Sequence, residues 1–145
     1  DIGASVLANA GFEDGTLTSW SSSGAAVISS DSFEGDWAGE TEGNMYIMQD
    51  LGTPILVENL GQATFWTWHD GDDSPAMSIE WGYSDGSTGS TFLGAVDLYG
   101  WVQVDVLPHL DYGKELSYIK AWGYSGGDAT ADIVLYDDYK FCEMN

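Results

Sequence analysis

The chain is written in short runs of strict alternation. "WVQVDVL" sets Val102, Val104 and Val106 against Trp101, Gln103 and Asp105. "ATFWTWHD" sets Ala63, Phe65 and Thr67 against Thr64, Trp66, Trp68 and Asp70. A period of two belongs to the β-strand, whose successive side chains point to opposite faces. The runs are broken at Gly, Asp and Ser clusters such as "DGTLTSWSSSG", "DGDDSPA", "SDGSTGS" and "SGGDAT". The pattern predicts strands over Ser5–Asn9, Ala25–Ser30, Met45–Asp50, Ile55–Asn59, Ala63–His69, Ala76–Tyr83, Thr91–Leu98, Trp101–Leu107, Leu116–Tyr124 and Ala131–Phe141. About ten strands and no convincing helix predict an all-β chain folded as a two-sheet antiparallel β-sandwich of the jelly-roll kind. No break is long enough for a linker, so residues 1–145 read as one domain.

Apolar residues make up 43% of the chain, enough for a full core, and aromatics 14%, with seven Trp and eight Tyr. The net charge is −21, with three basic residues. Such a chain repels phosphate backbones, anionic membranes and anionic polysaccharides, so no nucleic-acid or membrane partner is expected. The carboxylates suit hard cations, and a halophilic or marine source would also explain them. No apolar run approaches the roughly 18 residues of a membrane span. No charged and apolar leader pattern appears at Asp1, so a signal peptide is not expected within this sequence. Cys142 is alone, which excludes a disulfide framework and a Cys-rich zinc site, and His69 and His109 lie far apart.

"WGYS" occurs twice, in "WGYSDG" and "WGYSGG", and each copy spells Gly-x-Ser-x-Gly. A hydrolase nucleophile elbow needs a strand–turn–helix corner. The segments after Ser84 and Ser125 read as turn and strand, so a serine nucleophile is disfavoured even though Ser84, Asp97 and His109 follow the elbow order. Parity separates the copies. Met77, Ile79, Trp81 and Tyr83 share one apolar face, which takes Trp81 inward. Tyr118, Lys120, Trp122 and Tyr124 share a face with a lysine, which predicts that Trp122 points to solvent. The loop "DGDDSPAMSIEW" fails as an EF-hand, with Pro75 where Gly is required and Trp81 where Glu is required.

Applied to every strand, parity turns Trp66, Trp68, Trp101, Gln103, Tyr118, Trp122 and Tyr124 outward, onto what is expected to be one solvated face. Flat rings beside hydrogen-bonding groups suit a pyranose, whose C–H face stacks while its hydroxyls reach polar side chains. The competing reading is that these rings cover a second small core or a subunit contact. Alternation cannot say which sheet a strand joins.

The two ends carry a resemblance. "NAGFEDGTLTSW" and "IVLYDDYKF" resemble the opening and closing motifs of calcium-binding jelly-roll carbohydrate-binding modules of families four, sixteen and twenty-two. "NMYIMQDLG" and "GWVQVDV" are similar to weaker motifs of the same modules. The resemblance implies that the terminal strands pair beside a structural Ca²⁺, with Glu13, Asp138 and the carbonyl of Gly11 as ligands and Glu34 or Asp36 as further ones. It implies binding without cleavage, as part of a larger secreted multidomain enzyme. Charge restricts the polysaccharide or oligosaccharide partner to neutral chains such as β-glucan, xylan or mannan. Two alternatives stay open. One is a structural or adhesive calcium-binding domain. The other is a small glycosidase, for which Glu80, Asp70, Asp97 and Asp105 supply carboxylates but no evident pair.

Overall fold

The computed structural model describes residues 2–24, 26–28, 32–42, 45–70, 76–93, 100–124 and 133–144. Within them the strands are β1 (Ile2–Ser5), β2 (Ser21–Ser22), β3 (Ala26–Ile28), β4 (Ala38–Glu42), β5 (Tyr46–Leu56), β6 (Leu60–Asp70), β7 (Ala76–Tyr83), β8 (Thr88–Leu93), β9 (Trp101–Asp105), β10 (Glu115–Tyr124) and β11 (Ile133–Met144). Two short 3-10 turns, Val57–Asn59 and Leu107–His109, are the helical elements among the described residues. The strands form two antiparallel sheets packed as a β-sandwich. Sheet one runs β3-β4-β11-β6-β9, with β1 also on β11; sheet two runs β2-β5-β10-β7-β8. The terminal strands therefore pair, with Ser5 opposite Cys142.

Three departures from the expected strands have local causes. The first strand ends at Ser5, because the chain then turns through Asn9 and Phe12, both at positive φ, to bury Leu7 and Phe12. β4 forms where the sequence reads as an acidic loop. Its Gly39 faces the core, and a Cβ there would come within 2.8 Å of the Phe12 ring. Met45–Asp50 and Ile55–Asn59 were expected as separate strands, yet β5 is continuous. Ile55 pairs with Leu116 and Asp50 with Tyr118, so residues 51–54 bulge out opposite Ser117. Pro54 tolerates the bulge because no ladder bond is asked of it there.

The core lies between the sheets and follows the alternation. Phe65 on β6 stacks on Tyr139 on β11, with centroids 4.6 Å apart, and Trp20 tilts against Tyr139 at 4.9 Å. Sheet two contributes Ile47, Ile55, Ile79, Trp81, Leu116, Ile119 and Ala121. Trp81 is buried as parity predicts, its indole N–H donating to the Tyr83 hydroxyl at 2.9 Å. Gln49 is the buried polar exception on β5. Its amide accepts from Ala8 N–H and donates to Ala8 C=O, at 2.7 and 2.9 Å, pinning the first turn to sheet two.

Candidate functional site

With the inner faces filled, the outward residues fall on two separate surfaces. Sheet two presents Tyr46, Met48 and Asp50 from β5, Tyr118, Lys120 and Trp122 from β10, and Ser78 and Glu80 from β7. Register sets Trp122 beside Tyr46 and Ser78, Lys120 beside Met48 and Glu80, and Tyr118 beside Asp50 and Gly82. The Tyr46 and Trp122 rings meet at 4.9 Å and 57°, forming an open corner. The Lys120 ammonium sits over both rings, 4.2 Å from the Tyr46 centroid and 4.5 Å from that of Trp122.

One row away, Tyr118 lies across Gly82. A Cβ at Gly82 would fall 1.9 Å from the ring, so only glycine leaves the tyrosine room. The Tyr118 hydroxyl donates to the Glu80 carboxylate. Burial first, then that bond and the charges of Glu80 and Asp50, push the phenol up to about 12. The first "WGYS" copy thus supplies a seat for Tyr118, and the second supplies the outward ring of Trp122. They are neighbours across the β7–β10 pair, with opposite faces.

Sheet one is different. Trp66, Trp68, Trp101 and Gln103 do point outward, on β6 and β9, with Trp66 opposite Gln103 and Trp68 opposite Trp101. However, Phe33 lies flat on Trp66, with centroids 4.1 Å apart at 13°, and touches Trp101 at 5.7 Å. Leu135 and Asp137, also on the outer side of β11, are 1% and 0% exposed. A segment spanning residues 32–37 thus covers part of this face, so Trp66 and Trp101 join Phe33 in a small aromatic cluster.

Two carboxylates hold that segment down. Asp137 accepts the N–H groups of Phe33, Glu34 and Asp138, at 2.9, 3.0 and 2.8 Å. Glu13 accepts those of Asp36 and Trp37, at 2.8 and 3.0 Å. A methyl group built on Gly11 would touch both, 3.7 Å from Glu13 Cγ and 3.8 Å from Asp137 Oδ1. Gly35, at φ +70°, faces Glu13 so closely that a Cβ would collide with its carboxylate. Burial pushes the Asp137 carboxyl up to about 6, against the pull of its three N–H donors.

The structure therefore divides what the sequence reading placed together. Trp66, Trp68, Trp101 and Gln103 lie on one sheet, Tyr118 and Trp122 on the other, with the core, about 10 Å thick, between them. Tyr124 ends β10, and its side chain lies outside the described residues. The expectation of one shared face is corrected because alternation fixes a strand's orientation and not its sheet. Of the expected metal ligands, Gly11 and Glu13 come together. Their carboxylate neighbour is Asp137, while Asp138, turned by a bulge at φ +51°, pairs with Lys140 at 3.6 Å. Glu34 and Asp36 enter through their backbone N–H groups, their side chains being exposed.

Sequence reasoning passed over Tyr46 as a site residue, used Lys120 only as a sign of a solvated face, and weighed Glu80 only as a catalytic carboxylate. Tyr46 lies in an expected strand, Met45–Asp50, but nothing in that run records that it neighbours β10. Phe33 carried no periodic signal at all. Of the carboxylates considered for catalysis, Glu80 and Asp105 lie on different sheets, the Asp70 side chain and all of Asp97 falling outside the described residues. A depression lined by Leu51, Thr53, Pro54, Asn59, Glu115 and Glu143 contains no aromatic ring.

No protein-family model matches the chain, and no curated protein matches it in sequence. Solved structures do match it. A family 61 carbohydrate-binding module in complex with β-1,4-galactotriose superposes with a TM-score of 0.67 at 15% identity, over 98% of this chain and 100% of its own. The family 22 xylan-binding domain of Paenibacillus barcinonensis Xyn10C gives 0.63 at 18% identity, over 100% and 96%. A family 28 module specific for non-crystalline cellulose gives 0.61 at 16% identity, over 96% and 94%. At these identities the likeness shows the fold. These three structural neighbours are carbohydrate-binding modules.

Proposed function

We propose that this chain is a non-catalytic carbohydrate-binding module that takes a neutral polysaccharide on the outer face of sheet two. The observation that carries the reading is the open corner of Tyr46 and Trp122, flanked by Ser78, Glu80, Asp50 and Tyr118. Two rings offer a stacking surface to a sugar's C–H face. The carboxylates and the serine accept or donate hydrogen bonds to hydroxyls, at a face whose negative charge disfavours uronic acids. The sugars of four structural neighbours, galactotriose, xylan, non-crystalline cellulose and mannohexaose, support a glucan, xylan, mannan or galactan as partner. The fold and the acidic, disulfide-free composition are compatible with a secreted accessory module of a larger enzyme.

Affinity gels of soluble β-glucan, xylan, mannan and β-1,4-galactan test this reading. Retardation by at least one polymer, lost in Trp122→Ala, is expected. Migration unchanged in all four gels would leave a structural or adhesive domain as the better account. Release of reducing ends from the retarding polymer would instead show a glycosidase.

We propose further that a calcium ion belongs beside Gly11, with Glu13 and Asp137 as its carboxylates. The donor set is of the right kind: a carboxylate offers four lone-pair sites, and the N–H bonds to Glu13 and Asp137 leave some of them open. Ca²⁺ takes six to eight hard oxygens. No group of three or more metal-ligating side chains converges among the described residues, so the Gly11 carbonyl, further backbone carbonyls and water would complete the shell. The ion would neutralise two carboxylates drawn together at the base of the Phe33 segment. Thermal melts with added calcium and with chelator decide it. The proposal expects chelator to lower Tm in the native protein and to do nothing to Glu13→Ala; equal melts with and without chelator would remove the ion.

A further inference from the structure

We propose that Lys120 is a resident occupant of the stacking surface, and that a glycan binds to this face by exchange with its ammonium group. The inference rests on reading the outer face of sheet two as the glycan site. A cation within about 6 Å of a ring centroid is held by the ring's negative face. Lys120 meets this condition twice, over Tyr46 and over Trp122. A pyranose stacks on the same ring faces, so the covered face of either ring cannot hold both.

The protein directs this lysine to the rings. The other two lysines each reach a carboxylate, Lys114 at Asp85 (3.7 Å) and Lys140 at Asp138 (3.6 Å). Lys120 lies directly opposite Glu80 on β7 in a chain of net charge −21, yet among the described residues it forms no ion pair. The Glu80 carboxylate already holds the Tyr118 hydroxyl, and Tyr118 is fixed in place by Gly82. The Glu80 carboxylate is thus oriented by Tyr118, and the ammonium lies over the aromatic corner instead. When a sugar takes the corner, the freed ammonium carries three donors to the adjoining hydroxyls or to Glu80. Lys120 thus lowers affinity by the strength of the contact it gives up, a modest factor for an exposed cation and ring.

Calorimetry on wild type and Lys120→Met with β-1,4-galactotriose, mannohexaose and xylohexaose tests the exchange. Methionine keeps an unbranched stem and removes the charge. Whichever sugar binds wild type is expected to bind the variant about two- to fivefold tighter. Binding by the variant alone would uphold the proposal more strongly. Equal or weaker binding by the variant would overturn it, assigning the lysine to the glycan contacts or to neither role. Absence of binding by both proteins to all three sugars would overturn the glycan reading of the face and the exchange with it. A second measurement is made first on free wild-type protein. The Lys120 ε-methylene protons should show an upfield ring-current shift, relieved when the bound sugar is saturating. An ordinary lysine position in the free protein, or an upfield position unmoved by a sugar that binds, would overturn the exchange while leaving the glycan site intact.

Discussion

The two outer faces of the sandwich are made from the same sequence device and arrive at opposite ends. On both, alternation turns indoles away from the core: Trp66, Trp68 and Trp101 on sheet one, Trp122 on sheet two. On sheet one a segment from outside the sheet folds back, lays Phe33 flat on Trp66 and sets it against Trp101. On sheet two the cover described over Tyr46 and Trp122 is a single lysine side chain. Burying an aromatic pair stabilises the fold, while leaving one open costs apolar exposure that a ligand can recover. The difference lies in carboxylate placement. Glu13 and Asp137 give the backbone of residues 33–37 fixed acceptors on sheet one. The carboxylate opposite Lys120 on sheet two, Glu80, accepts the Tyr118 hydroxyl and holds no backbone segment among the described residues. Outward aromatics are thus a pool, and the loops decide which of them remain a surface.

If this contrast is right, changes on sheet one should register in stability and changes on sheet two in binding. The largest effect is expected from Asp137→Ala, which leaves three part-buried N–H groups without their acceptor and frees the Phe33 segment. A hydrogen bond to a charged acceptor contributes about 1.5–3 kcal/mol, less where water reaches the freed N–H, so a loss of roughly 3 kcal/mol is expected, about 10 °C in Tm. Glycan affinity measured below the new Tm should hold. A variant that melts like wild type would show that the carboxylate does not organise the cover. Trp122→Ala should do the reverse. A stacking hot spot contributes about 2 kcal/mol or more, so affinity should fall about thirtyfold with Tm nearly unchanged.

Trp66→Ala sharpens the comparison at smaller amplitude. It removes a half-buried ring and its stacked partner contact, about 1–2 kcal/mol of stability. Retention on the polysaccharide gel that Trp122→Ala escapes should be unaffected. Loss of retention in Trp66→Ala would break the comparison, because it would place glycan on the face that Phe33 covers.

Much of this was legible in the sequence, and the illegible part has a physical reason. Parity along β7 and β10 gave the inward Trp81 and the outward Trp122, because a strand between two neighbours keeps its alternation. The valines of β9 gave the core side of sheet one in the same way. Sheet membership could not be read. β6 and β7 are successive in the chain yet lie in different sheets, and nothing within either strand records that. β4 was invisible because its inward Gly39 carries no apolar signal, its role being to make room for Phe12. The choice between Asp137 and Asp138 turned on a bulge. One residue at positive φ reverses which carboxylate points to Gly11, and the letters Asp-Asp are silent on it. The terminal pairing suggested by "GFEDG" and "YDDY" is present, while the segment those acids organise had to be seen.

The smallest effect concerns Tyr118, and its sign follows from linkage. Its phenol is raised from an ordinary value of 10 to about 12, by burial, by the bond to Glu80 and by nearby negative charge. The folded state therefore holds this proton more tightly than the unfolded chain. The resulting stability is fully present below pH 10 and is lost as pH rises through about 12. Phenolate absorbance of wild type minus Tyr118→Phe should isolate one late-titrating group. Alkaline melts of the variant should be less steep over the same window, the difference being small because the side chain is partly solvated. A difference titration centred near 10 would mean that Tyr118 is not pinned between Gly82 and Glu80. Glu80 would then lose the partner that orients it, and its carboxylate could turn toward Lys120 and draw the ammonium off the rings of sheet two.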